Sequence, residues 1–349
     1  MKIYFHIGTE KTGSSHLQSM AAINRERLRK KSVWFPKAGK REHQLLDGEI
    51  SAGNAQNITD ALNAGDFEAF SEIIKEHIRK AEEERCHSLF LSNELLMLAL
   101  AKDNILEQFE SVLKRNGCSD AEYLLFFRDP VSQALSLYKH RAKSGLAYEI
   151  EEWPQMQYFY GTGILSFLKK AEQERINLTC RKFQRKNGSL EGILFQEWLG
   201  LNVKLKQPPK FVNPSLSLSE LLLLKKVRAY HPQLASILYD RLRTVNTWLK
   251  AKHTGIDQYH RDVLSNYLLQ YEETWDTCNS YLPASEQIIC PCKVNKKDLK
   301  QKKISSFSEA QMDEISGIIS DSLSFRFKLQ VEWLKWRKRL GLIKKRLLK

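Results

Sequence analysis

Two stretches of this chain carry residues of the types that hold anions, at spacings that let them act together. The first is Phe5-His6-Ile7-Gly8-Thr9-Glu10-Lys11-Thr12-Gly13-Ser14-Ser15-His16-Leu17-Gln18. Glycines stand at both ends of a short loop, a lysine at its middle and two hydroxyls, Ser14 and Ser15, at its exit. Upstream, Ile3, Phe5 and Ile7 alternate with Lys2, Tyr4 and His6, which predicts a strand. Downstream, Leu17, Met20, Ile23 and Leu28 recur at roughly helical spacing. A strand that enters a helix through such a loop aims backbone N–H groups and the positive helix end at one point, the geometry that binds a phosphate or sulfate. The second stretch is Arg128-Asp129-Pro130, with Ser136 eight residues after the arginine. It follows the apolar run Tyr123-Leu124-Leu125-Phe126-Phe127, and Pro130 suits the first turn of a helix. An arginine at a strand end and a serine two turns into the next helix can both reach one phosphate. The plainer alternative pairs Arg128 with Asp129 or Asp120 and leaves Ser136 facing solvent.

Two further residues are candidates for proton transfer. Glu94 follows Ser88-Leu89-Phe90-Leu91-Ser92, an apolar run suited to a buried parallel strand. Ligand groups collect at the carboxyl ends of parallel strands, so Glu94 is expected near the first loop. His43 lies in an aromatic, irregular segment that begins at Val33-Trp34-Phe35-Pro36.

The elements that must position these groups alternate between strand and helix. Helices are expected over 16–32, 66–85, 102–116 and 190–200, and strands at 88–92, 122–127 and 177–183. Residues 47–65, rich in Gly, Asn, Ala and Asp, read as a loop or lid. This predicts an α/β fold: a parallel sheet flanked by helices around a P-loop-like nucleotide site. Beyond residue 216 the character changes to a mainly helical extension, with periodic segments at 221–227, 234–248 and 263–271. From Phe325 the chain ends in a basic amphipathic stretch in which Trp333, Trp336, Leu340, Ile343 and Leu347 share one face. Two regions are therefore expected, 1–215 for the α/β core and 216–349 for the helical extension.

At 349 residues, 42% hydrophobic and 28% charged, the chain has the composition of a globular protein. Its net charge of +14 favours anionic partners. Six scattered cysteines, of which only Cys290 and Cys292 are close, form no zinc-type spacing, so no metal is expected and a reducing compartment fits better than a disulfide framework. No apolar run approaches the ~18 residues of a membrane span, and no leader segment is expected ahead of the first strand. The expected location is the cytoplasm; the basic C-terminal stretch reads either as a helix docked on the core by its tryptophans with a solvated basic face or as an element for peripheral contact at the inner membrane face.

The first loop departs from a Walker A loop, which places lysine directly after the last glycine and a Mg²⁺-binding Ser/Thr after that. Here Ser14 follows Gly13, and Lys11 comes two residues earlier. The order Lys11-Thr12-Gly13-Ser14-Ser15 resembles the 5′-phosphosulfate loop of sulfotransferases that use 3′-phosphoadenosine 5′-phosphosulfate (PAPS). The Arg128…Ser136 pair resembles the family's 3′-phosphate site. Trp34-Phe35-Pro36 with His43, Leu91-Ser92-Asn93-Glu94, the strand ending at Phe183, and Asn213-Pro214-Ser215 are similar to the layout of bacterial members of glycan type. The likeness covers roughly residues 1–230. Two departures stand out: serines replace the threonines of many relatives at 14 and 15, and the Arg-Lys-Gly element of vertebrate relatives is missing. Asn213 and Ser215, or Lys204, Lys206 and Lys210, are the candidates to replace it.

The resemblance implies transfer of a sulfuryl group from PAPS to a hydroxyl or amine. Thr12, Gly13, Ser14 and Ser15 would hold the 5′-phosphate, Arg128 and Ser136 the 3′-phosphate, and Phe183 the region of the adenine. Lys11 would act on the bridging oxygen. Glu94 is the first choice of general base and His43 the second. The acceptor is expected to be a glycan, a lipid-linked saccharide or a small hydroxyl compound, and nucleic acid is not an expected partner. A kinase with a degenerate loop, and a non-enzymatic polyanion- or membrane-binding protein on a nucleotide fold, are the alternatives.

Overall fold

The computed structural model describes residues 1–39, 42–48, 52–143, 149–158, 160–184, 189–202, 204–208, 216–245 and 255–295, together with 299, 307–309, 311–313, 315–321 and 329. Asn213, Ser215, Lys210 and nearly all of the basic C-terminal stretch lie outside the described residues.

Five strands form one all-parallel sheet: β1 (Lys2–Gly8), β2 (Val33–Trp34), β3 (Ser88–Ser92), β4 (Asp120–Phe127) and β5 (Asn177–Lys182), in the order β2-β3-β1-β4-β5. Apolar runs on the inner strands reflect burial on both faces: Ile3, Phe5, Ile7, Leu89, Leu91, Tyr123 and Leu125 are sealed from solvent. The helices between them are α1 (Ser14–Ile23), α2 (Arg25–Arg29), α3 (Glu42–Leu46), α4 (Gln56–Ala64), α5 (Phe67–Glu83), α6 (Leu96–Leu100), α7 (Ile105–Arg115), α8 (Pro130–Ala142), α9 (Trp153–Gln157) and α10 (Tyr160–Gln173). After β5 come α11 (Ser189–Glu191) and a π-helical turn, Gly192–Trp198, then α12 (Leu218–Tyr230), α13 (Pro232–Val245), α14 (Gly255–Leu268) and α15 (Glu272–Tyr281). The fold is α/β, and its C-terminal region is helical.

Alternation along β1 sends its side chains to two cores. Phe5 stacks on Tyr123 and meets Phe109 edge-on, at 5.4 and 5.2 Å between ring centres. Tyr4 points the other way, edge-on to Trp198 at 5.0 Å, in a core that also takes Leu17, Met20 and Ala21 of α1. The helix after the loop is thereby pressed onto the sheet beside the strand that feeds it.

Three local readings are corrected. The single helix expected over 16–32 breaks at Asn24, whose buried amide donates to the Met20 carbonyl and grips both the N–H and the carbonyl of Lys206. The 47–65 segment contains α4, because Ile58, Ala61 and Leu62 form a buried helical stripe that the polar composition masks. Val33 and Trp34, read as irregular, pair with Ser88 and Leu89 as an edge strand.

The chain divides into two compact units. The first comprises Met1–Leu137, Tyr148–Asn213 and Arg261–Asn295; the second comprises Tyr138–Ala147, Pro214–His260 and Lys296–Lys349. In the second, a capping box in which Ser217 accepts from the Glu220 N–H and Glu220 from the Ser217 N–H starts α12. Among the described residues no helix is long and apolar enough to cross a membrane.

Candidate functional site

The strand order turns at β1, which has β3 on one side and β4 on the other, so the carboxyl ends of β1, β3 and β4 open onto one edge. Gly8 and Thr9, Asn93 and Glu94, and Arg128 stand at those three ends.

The β1–α1 loop is held from several directions. Gly8 has φ 125°, and a Cβ there would lie 2.5 Å from the Glu94 carbonyl oxygen, so only glycine lets the two strand ends approach. Thr9 gives both its N–H (3.2 Å) and its hydroxyl (3.1 Å) to the Phe126 carbonyl on β4. The Thr12 hydroxyl turns back to the Thr9 carbonyl, so that group serves the loop's own shape. Gln133, on α8, donates to the Thr9 hydroxyl at 2.9 Å and to the Glu10 carbonyl at 3.2 Å. The Glu10 carboxylate is only 7% exposed and accepts from the phenol of Tyr160 on α10. Burial, reinforced by the Glu10 charge, pushes that phenol well above the usual tyrosine range. The Glu94 charge acts on Tyr160 in the same direction.

Arg128 joins the two anion-type stretches. Its Nη1 donates to the Lys11 carbonyl at 2.9 Å, and its guanidinium lies over the Phe183 ring, 5.4 Å from the ring centre. Gly13, at φ 85°, brings the loop against the same ring: a Cβ there would sit 3.2 Å from Phe183 Cε2 and 2.6 Å from a Leu190 methyl. The loop, the end of β4 and the residue after β5 thus meet at one place. Lys11 also has a left-handed backbone, φ 64°, a costly setting for a side-chain-bearing residue that the loop's ties maintain. Its ammonium has no carboxylate partner among the described residues.

At the start of α1, Ser14 is 2% exposed, and its hydroxyl has no hydrogen-bond partner among the described residues. A buried hydroxyl left unmet at a helix N-terminus fits an anion bound there, so the donor set suits a phosphate. Ser15 is partly exposed beside it. His16, next on the helix, bonds the Glu191 carboxylate at 2.7 Å and holds it below the usual carboxylate range, which ties α1 to α11.

Beneath the loop lies a buried polar cluster. His6 Nδ1 is 2.8 Å from the Ser92 hydroxyl, which also accepts from Gln18 at 3.1 Å. Nε2 of the same ring has no hydrogen-bond partner among the described residues. Complete burial lowers the His6 imidazole to about 4. Asn93 holds the turn before Glu94, accepting from the Leu95 N–H at 2.7 Å and donating to the Ala52 carbonyl at 2.8 Å.

The remaining sequence candidates are dispersed. Ser136 is partly buried on α8, two turns beyond Arg128. His43 is exposed on α3, a helix packed on α1, while its neighbour Leu45 enters the core. Lys204 and Lys206 have exposed side chains. Among the described residues no group of three or more His, Cys, Asp or Glu is placed to hold a metal ion. Glu10, Gln133 and Tyr160 escape sequence reasoning because each meets the loop across 123 or more residues of chain or, for Glu10, through such a partner. Comparison of the chain with protein-family models, curated proteins and solved structures returned no match.

Proposed function

We propose that this chain is a PAPS-dependent sulfotransferase that moves a sulfuryl group to a hydroxyl or amine of a glycan or glycolipid acceptor. The observation that carries the reading is the Arg128 contact with the Lys11 carbonyl, which joins an anion-type loop on β1 to an anion-type pair on β4. Two anion sites a few residues wide, at one edge of a parallel sheet, suit a nucleotide with phosphates at both its 5′ and 3′ positions. The buried, unmatched Ser14 hydroxyl supports the same assignment.

Bound PAPS supplies the sulfuryl group and the phosphate that leaves it. In this reading Thr12, Gly13, Ser14 and Ser15 enclose the 5′-phosphate, chiefly through backbone N–H groups and the Ser14 hydroxyl. Arg128 and Ser136 hold the 3′-phosphate, and Phe183 flanks the adenine while supporting Arg128. Asn213 and Ser215 are assigned to the same nucleotide by resemblance alone. Lys11 neutralises charge at the bridging oxygen, and charge stabilisation with positioning supplies most of the rate. Glu94 removes the acceptor proton, with His43 as the second candidate. The positive charge of the whole chain favours an anionic acceptor, a lipid-linked saccharide or peripheral contact with an anionic membrane.

The desulfonated product, 3′-phosphoadenosine 5′-phosphate (PAP), tests the reading without knowledge of the acceptor. At ~100 times its dissociation constant PAP is expected to stabilise the fold by about 2.7 kcal/mol. Thermal-shift titration should show PAP acting at lower concentration than ATP with Mg²⁺. An unchanged melting temperature with PAP would overturn the proposal, and a preference for ATP would point to a kinase instead.

A further inference from the structure

The helix α14 brings an arginine to the start of α8 that no motif in the sequence announces. Arg261 Nη1 lies 3.5 Å from the hydroxyl of Ser132, a residue 129 positions earlier in the chain. Ser132 and Ser136 are one helical turn apart, so they share a face of α8. Arg128 stands two residues before that helix begins. Arg261 therefore abuts α8 at the level between the two residues assigned to the 3′-phosphate.

Its charge is unmatched among the described residues. Arg261 is partly buried, and among the described residues it has no carboxylate partner. Of the acids near it, Asp262 follows it in sequence and is buried, and Asp257, one turn earlier on α14, bonds Lys139 at 3.2 Å. Asp129 lies 3.3 Å from Lys182 and accepts from the Ile289 N–H at 2.7 Å. A guanidinium drawn partly out of water and met, among the described residues, by a neutral hydroxyl at the outer limit of hydrogen-bond length is poorly compensated by them. An anion between Arg261 and Arg128 would supply the missing charge, and the forked guanidinium suits a phosphate.

We propose that Arg261 is a second cationic ligand of the phosphate subsite at the start of α8, taking the 3′-phosphate together with Arg128 and Ser136. The residue comes from the last segment of the first compact unit, Arg261–Asn295. The assignment rests on the nucleotide reading above.

Calorimetric titration of the full chain with PAP and with AMP, which lacks the 3′-phosphate, separates the possibilities. The wild type should bind PAP more tightly than AMP. Arg261→Gln should weaken PAP by ~10-fold or more and change AMP by no more than about twofold, the signature of a charge-assisted contact to the 3′-phosphate alone. Arg128→Ala should show the same selectivity. Arg261→Lys keeps the charge but loses the fork, and should cost PAP a few-fold with AMP unchanged; it serves as the second variant if Arg261→Gln lowers the ligand-free melting temperature. Equal losses for PAP and AMP in either Arg261 variant, or no loss for PAP, would overturn the assignment. A wild type with no preference for PAP over AMP would instead overturn the nucleotide reading, and the Arg261 role with it.

Discussion

Arg128 is already engaged with the protein, through the Lys11 carbonyl and the Phe183 ring, so in the proposed function its guanidinium would be oriented before a nucleotide bound. That preorganisation cuts the entropy lost on binding. The base is a separate question, decided by position before pKa. Glu94 stands at the end of β3, its backbone against Gly8 and its charge felt by Tyr160. His43 is exposed on α3, a helix packed on α1. Glu94→Gln is therefore expected to lower turnover by ~10²–10⁴-fold with PAP affinity nearly intact, and His43→Ala to cost much less. Steady-state rates with PAPS and an accepted acceptor check this; a mild Glu94→Gln beside an inactive His43→Ala would reverse the roles. At this scale the sequence was legible where the candidate residues are neighbours in the chain. Lys11, Gly13 and Ser14 are neighbours in one loop, and Arg128 and Ser136 share a strand–helix turn. Glu10, Gln133, Tyr160 and Arg261 have no such signature, because each meets its partner across more than a hundred residues.

Among the elements, α10 and α8 do for the loop what its own sequence does not. Tyr160 opens α10 and gives its hydroxyl to the buried Glu10, while Gln133 of α8 ties down Thr9 and the Glu10 carbonyl. A carboxylate kept from water needs that donor, since an unmet buried acceptor costs roughly 1–3 kcal/mol. Tyr160→Phe should destabilise the protein by about that amount and weaken PAP as well, because the same bond sets the loop's shape. Urea unfolding monitored beside PAP titration tests both; a loss below ~0.5 kcal/mol would mean that water replaces the phenol at Glu10. Legibility at this scale follows burial. The apolar runs of β3 and β4 announced inner strands, since a strand covered on both faces needs no polar residues. Residues 56–64 hid a helix because only Ile58, Thr59, Ala61 and Leu62 face inward, too few to outweigh the polar composition. The helix break at Asn24 was equally hidden, since it depends on bonds to Lys206, 182 residues away.

For the molecule as a whole, the buried polar cluster under the site links acid stability to the centre of the sheet. His6 lies on the central strand, its ring sealed from solvent and its pKa lowered to about 4 by burial. In the unfolded chain the same imidazole titrates near its ordinary value of about 6.5. Above that value both states are neutral at this site, so His6 makes stability independent of pH there. Between about 6.5 and 4 the unfolded chain binds a proton that the folded chain refuses, so stability falls as the pH is lowered through that window. At ~1.4 kcal/mol per pH unit the full window is worth about 3 kcal/mol, and below about 4 the folded state also takes the proton and the loss levels off. His77 on α5, lowered to about 4 mainly by burial, acts in the same direction, so the wild-type slope alone does not isolate His6. A substitution does. His6→Gln keeps a side chain able to bond Ser92 but removes the titration. Urea unfolding at pH 7.5, 6.5, 5.5 and 4.5 should show the wild type losing stability more steeply than His6→Gln across the acid window, with parallel behaviour above it. The difference between the two curves should be largest near the lower end of the window. Identical slopes would mean that His6 is reached by protons in the folded state, and the cluster under the loop would then be open to water.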